Sequence, residues 1–191
     1  MPRLSGVRER RHQPFWDSLV RTTGDPTPGI APTQRLFGNA NVGNLALTNL
    51  QVAGQLASDQ TYVILSFRCW LYFDGTNART NYQRVMSQLY WTVTLGDKPQ
   101  FSAPCWYFPS GGGLSGFDST TPIFNNGVPS QESILRLARP IVVPVRQNFF
   151  AEAQFFAVGT TDALTLLNTG ATDDEKVILF MLDGLQTRDV Q

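Results

Sequence analysis

The feature that most constrains this chain is a period of two. From Thr61 to Phe73 the odd positions read Thr61, Val63, Leu65, Phe67, Cys69, Leu71 and Phe73, a nearly unbroken apolar row. The even positions, Tyr62, Ile64, Ser66, Arg68, Trp70 and Tyr72, are mixed. Successive side chains on a strand point to opposite faces, so the run predicts one long strand with its odd row buried. The apolar members of the even row predict that a neighbour covers part of the other face as well. Asp74-Gly75 then closes the strand as a turn.

The same period recurs along the chain. A strand is predicted from Arg84 to Leu95, with Val85, Leu89, Trp91, Val93 and Leu95 on one face and Gly96-Asp97-Lys98-Pro99 ending it. Leu45–Val52 opens the set, and a short apolar stretch covers Ala103–Phe108. Ile134–Ala138 and Ile141–Val145 read as two strands, with Pro140 and Pro144 marking an edge or a bend. Phe149–Val158, a short Leu164–Leu167 and a closing Val177–Leu185 complete the series. About eight strands between turns point to an all-β sandwich or barrel. Composition agrees: only 16% of residues are charged, against the usual value of about 25% that long surface helices require. At 191 residues the chain is one domain of ordinary size.

Residues 1–35 differ from the body at 36–191. They carry Arg3, Arg8, Arg10, Arg11, Arg21 and Arg35 among Pro2, Pro14, Pro26, Pro28 and Pro32. Proline at that density removes ladder donors and favours extended chain, so the segment is predicted to be an N-terminal arm. Phe15 and Trp16 are large apolar side chains that need a pocket. Arginine and tryptophan are frequent interface anchors, so Arg8, Arg10, Arg11, Phe15, Trp16 and Arg21 are the candidate partner-binding residues of an inter-subunit strap. Binding packaged nucleic acid is the weaker alternative. The arginines are interrupted by Glu9, the apolar anchors have no use on phosphate, and the net charge is +0.

Little in the sequence supports catalysis. The one histidine, His12, lies in the arm, where no packed neighbourhood is expected to orient it for a Ser-His-Asp or Cys-His site. A single histidine also excludes a cupin-type metal centre. Two cysteines, Cys69 and Cys105, are too few for a disulfide framework or a zinc site. Cys69 lies on the apolar row and reads first as a buried thiol, with a Cys69–Cys105 disulfide as the alternative. Gly111-Gly112-Gly113 lacks the Gly-Lys-Ser/Thr of a phosphate loop. Asp173, Asp174 and Glu175 read as a solvated turn without EF-hand spacing. Glu132 and Glu152 are the only glutamates in the strand-rich body outside turns, and exposure is the default for both. No enzyme, cofactor or metal is therefore expected, and no apolar run reaches the roughly 20 residues of a membrane helix.

The segment Arg139–Phe156, RPIVVPVRQNFFAEAQFF, followed by Val177–Gln191, VILFMLDGLQTRDVQ, resembles the closing strands of jelly-roll virion proteins of tailed bacteriophages. The shared pattern is an apolar strand, a Pro-x-Arg-x-x-Phe bend, an amphipathic strand and a Leu-Asp-Gly-Leu-x-Thr-Arg ending. It covers about a third of the chain. The resemblance implies a single jelly-roll β-sandwich of about eight antiparallel strands with an extended N-terminal arm. It also implies a structural role in the virion, as a capsid cement, decoration or minor capsid subunit. Its partners would be the major capsid protein or neighbouring copies of itself, with a trimer favoured. The competing expectation is a carbohydrate- or receptor-binding module that uses the loop 109–130 and the aromatics Trp106 and Tyr107.

Overall fold

The computed structural model describes residues 8–21, 33–38, 47–57, 59–72, 85–108, 115–117, 122–125, 135–156 and 176–189. It is an all-β protein, with two antiparallel sheets packed as a sandwich. The described strands are β1 (Arg8–His12), β2 (Phe15–Arg21), β3 (Thr33–Leu36), β4 (Gln60–Tyr72), β5 (Leu89–Leu95), β6 (Lys98–Pro104), β7 (Ser115–Phe117), β8 (Pro122–Asn125), β9 (Leu135–Val143), β10 (Phe149–Phe155) and β11 (Lys176–Asp189). The first sheet runs β1-β11-β4-β9, with β2 also on β11. The second runs β3-β10-β5-β6. β7 and β8 pair separately, inside the segment 109–130 expected as a loop. Among the described residues no helix is long and apolar enough to cross a membrane.

The period-two row of β4 is real, but it changes face. Tyr62 and Ile64 are buried, and so are Phe67, Cys69 and Leu71. The switch from even to odd positions occurs at Leu65. Opposite β4, Asp183 faces Ser66 and the next residue, Gly184, faces Ile64, so Leu65 has no opposite residue. One extra residue in a strand is a β-bulge, and it inverts the parity of everything beyond it. The expected single apolar row is thus two half-rows, and the bulge accounts for apolar residues on both parities. Gly184 marks the crossing: a Cβ there would lie 2.0 Å from the Val63 carbonyl oxygen.

The core fills the space between the sheets. Trp91 of β5 stacks on Phe180 of β11, with ring centroids 4.4 Å apart. Ala153 sits opposite Trp91 on the neighbouring strand, and its small side chain leaves room for the indole. Phe67, Phe101 and Phe108 close the cluster around Phe180. Tyr62 is buried, its hydroxyl donating to the Leu182 carbonyl at 2.8 Å. Burial, and then the nearby Asp183 carboxylate, push its phenol far above the ordinary tyrosine range. The folded state therefore holds that proton more tightly than the unfolded chain. Stability from this group is complete below the unfolded value of about 10 and is lost as pH rises above it. Urea unfolding between pH 8 and pH 11 should show stability falling above about pH 10 in the native chain. The fall should be reduced in Tyr62→Phe; an equal fall in both would remove Tyr62 as the cause.

Several boundaries differ from the sequence expectation. The strand expected from Arg84 starts at Leu89, because 85–88 form a helical turn that buries Val85 and Gln88. The expected strand at Leu45–Val52 is, over 47–52, a turn and an irregular run with one isolated bridge, Val52 to Gln55. The strands expected at 134–138 and 141–145 are one, β9. Among the described residues it pairs with β4 alone, and Pro140 falls in the break of that register between Arg136 and Ile141, where a missing N–H costs no ladder bond. The stretch at 103–108 divides between the end of β6 and a 3-10 turn, Cys105–Tyr107. The expectations for Asp74-Gly75, Gly111–Gly113, Glu132, Leu164–Leu167 and Asp173–Glu175 lie outside the described residues.

Candidate functional site

The segment expected as an arm is, over 8–21, part of the sandwich. β1 and β2 lie end to end along one edge of β11, β1 against Leu185–Asp189 and β2 against Lys176–Leu182. The chain steps from one to the other at Gln13-Pro14, where the Gln13 N–H donates to the Gly184 carbonyl at 3.1 Å. A proline between the two strands has no donor to lose, and it lies beside the β11 residues Asp183 and Gly184, which face the bulge in β4.

The six candidate partner residues separate on this edge. Phe15 is a core residue of its own chain, 6% exposed, with its ring edge-on to Tyr62 at 4.8 Å. It is not available to a neighbour in this arrangement. Trp16 is half-buried. Its backbone is held by Asn49, whose side-chain oxygen accepts from the Trp16 N–H at 2.9 Å, and by the Thr48 hydroxyl donating to its carbonyl. Arg11 donates to Gln186 at 2.6 Å, and Gln186 donates on to Gln60 at 2.6 Å. Arg8 and Arg10 are exposed. Arg21 pairs its backbone with Lys176, and its side chain lies outside the described residues. Glu9, which interrupts the arginines, binds Arg188 at 2.7 Å.

Sequence reasoning missed two carboxylates that hold this edge. Asp17 is buried; it accepts from the Ser18 N–H at 2.9 Å and from the Phe37 N–H. Phe37 directly follows β3 with a φ of 65°, so Asp17 fixes a strained turn and ties the two sheets together. The second is Asp183, next to the bulge. His12 Nε2 lies 2.5 Å from its Oδ1, Arg68 Nη2 donates to its Oδ2 at 2.8 Å, and the Ser66 hydroxyl lies 3.4 Å from the same oxygen. His12 therefore does have an orienting partner, contrary to the expectation for an arm residue. The register explains why: His12 stands opposite Leu185, on the same face as Asp183 two residues away.

This arrangement of Ser, His and Asp is not a hydrolytic relay. In a relay the histidine stands between the acid and the hydroxyl. Here Asp183 stands between His12 and Ser66, and the acid's oxygens are already occupied by donors. His12, with 65% of its side chain exposed, clasps the junction of β1 and β2 onto β11. Among the described residues no three His, Cys, Asp or Glu side chains gather as a metal site. The sequence signal for the clasp was Asp183-Gly184 inside an apolar run, since an isolated glycine in a strand marks a bulge or a close approach of another backbone, here that of β4.

Two surface features remain. A shallow cavity of ≈ 530 Å³ opens between the turns, lined by Arg35, Phe37, Gln55, Asp97, Asn148 and Phe150 among others. Most of its polar groups are already engaged: Gln55 donates to Asn148, and Arg35 lies 3.3 Å from Glu152 and over the Phe150 ring. Elsewhere Trp106 and Tyr107 are exposed at 62% and 46%, with rings 6.0 Å apart and nearly perpendicular. No family model, curated protein or solved structure matches this chain.

Proposed function

We propose that this chain is a virion structural protein built on a single jelly roll, a cement, decoration or minor capsid subunit that stabilises a head shell by bridging its neighbours. The observation that carries the reading is the nesting of its strand pairs. With the β7–β8 hairpin set aside, the outermost pair is β2 with β11, the next β3 with β10, then β4 with β9, and innermost β5 with β6. First pairs with last throughout, as in one long hairpin rolled into two facing sheets. Such nesting supports a jelly-roll reading, a fold used by viral capsid and lectin domains among others. Fold alone does not assign a role; the resemblance of the closing strands supplies the virion context.

In this reading the strap is the outermost member of the roll. The 11 residues 22–32 join β2 to β3, and a stretch of that length spans up to about 40 Å when extended. It allows β1 and β2 to leave their own β11 and take the same register on that of an adjacent copy, a strand exchange between protomers. Repeated around a lattice, such pairings add avidity to weak single contacts. Exposed Arg8 and Arg10 would lie at the seam.

The test uses facing positions. Arg10 stands opposite Thr187. Chains carrying Arg10→Cys alone and Thr187→Cys alone are mixed and oxidised, and the mass of the native chain is measured by light scattering. A defined oligomer, a trimer favoured, with cross-links between the two chains is the expected result. A monomer at every concentration, with the bond forming only within a double variant, would sink the exchange.

A second reading has one observation in its favour, the exposed Trp106–Tyr107 pair, since aromatic faces stack on sugars. Binding to a glycan panel that is lost in Trp106→Ala, with folding retained, would establish a carbohydrate-binding module instead.

A further inference from the structure

We infer that Cys69 and Cys105 form a cross-sheet disulfide when the chain folds in the presence of a low-molecular-weight disulfide oxidant. The two thiols come from opposite layers. Cys69 lies on β4 of the first sheet, opposite Phe180 of β11. Cys105 opens the 3-10 turn that follows β6 of the second sheet. Their sulfurs are 3.5 Å apart, both are buried, and both are free thiols in this structure. A disulfide needs about 2.05 Å between sulfurs, so the remaining gap of about 1.5 Å is within reach of side-chain rotation. The other sulfur beside them is the Met86 thioether, 3.6 Å from Cys105. A thioether does not compete for the oxidant as a thiol would.

The bond would join two elements 36 residues apart in sequence. It would covalently staple the two sheets that otherwise meet through apolar packing alone at this point. Its formation balances as thiol–disulfide exchange. One protein thiolate attacks a sulfur of the small disulfide, forming a mixed disulfide and releasing one small thiolate. The second protein thiolate attacks the protein-bound sulfur and releases the other. Two protons pass to the two small thiols, and the protein loses two electrons in all.

Burial gates the reaction. Loss of solvent, and then the adjacent Cys105, push the Cys69 thiol well above its ordinary range, and only the thiolate attacks. The exchange therefore belongs to the folding chain, before the sandwich closes over the pair.

The experiment refolds the full chain from denaturant with reduced and oxidised glutathione, and in parallel with a reductant only. After oxidative refolding the intact mass should fall by about 2 Da, with no titratable thiol and one linked Cys69–Cys105 peptide. The midpoint of thermal unfolding should be higher than that of the reduced chain by on the order of 10 °C. The comparison needs no variant; Cys69→Ala/Cys105→Ala, if it folds, should show no difference between the two conditions. Two titratable thiols after oxidative refolding, or stable glutathione adducts, would overturn the inference. So would a linked chain that melts no higher than the reduced one.

Discussion

Gly184→Ala is expected to cost the protein about 3–5 kcal/mol, among the largest effects of any single substitution in this chain. The added Cβ would meet the Val63 carbonyl oxygen at 2.0 Å and the Val63 carbonyl carbon at 3.0 Å. Both are backbone atoms of the central strand β4, so neither can swing aside as a long side chain would. Relief requires β11 and β4 to separate or to move by a residue. A one-residue slip turns each buried side chain beyond it to the wrong face. On one side of the bulge that set includes Phe180 and Leu182; on the other it includes Tyr62. Gly38→Ala is the control, because among the described residues its Cβ would meet the Arg35 carbonyl oxygen at 3.9 Å, an ordinary contact. Urea unfolding of the two variants checks the contrast. A Gly184→Ala chain within about 0.5 kcal/mol of the native one would show that the register is not fixed at this point.

A chain beginning at Gln34 is expected to lose cooperative folding. The deletion takes away β1 and β2, which the sequence alone marks as an arm outside the body. In the sandwich they are the outer cover of β11. Removing the Phe15 ring alone costs about 3–5 kcal/mol by the usual measure of a buried aromatic. Removing Asp17 leaves the buried Phe37 N–H without that acceptor, which adds about 1–3 kcal/mol. Half-buried Leu19 also leaves the core margin. The sum is comparable with the whole stability of a domain, about 5–15 kcal/mol. Circular dichroism should show no sharp thermal transition for the shortened chain, and light scattering should show aggregation through the bared edge of β11. A folded, soluble monomer would instead mean that the body stands without its first two strands. The same energetics bear on strand exchange. If β1 and β2 cannot be spared, each protomer in a shell needs its neighbour's pair whenever it gives up its own.

Much of the sandwich was legible because one-sided burial imposes a period that side-chain direction makes visible. β4, β10 and β11 begin and end within a few residues of their expected apolar runs. Phe149, Ala151, Ala153 and Phe155 keep one parity from end to end, all buried. The edges were less legible. Over 8–21 four arginines and Pro14 stand against four apolar residues, and an edge strand needs only a few inward side chains. Phe15, Asp17 and Leu19 are such a row, but three positions beside Pro14 give too short a pattern to count. The clasp around Asp183 was hidden for another reason. His12 and Asp183 are 171 residues apart in sequence, and nothing local links them.

The sequence by itself determined the class of fold, since low charge, frequent turns and period-two rows admit strands and little else. It also placed Phe67, Leu71, Leu89, Trp91 and Phe149 in the core, where residue type and an unbroken period agree, but not Phe15, Tyr62 or Ile64. Which strands pair, which face each half of β4 presents, and whether residues 8–21 leave the domain or close it were decided only in three dimensions. Register depends on a backbone contact between Gly184 and Val63, and strand order on which edges meet when the two sheets form. Such contacts join residues more than a hundred positions apart, and their energies depend on distances that one chain of letters does not contain.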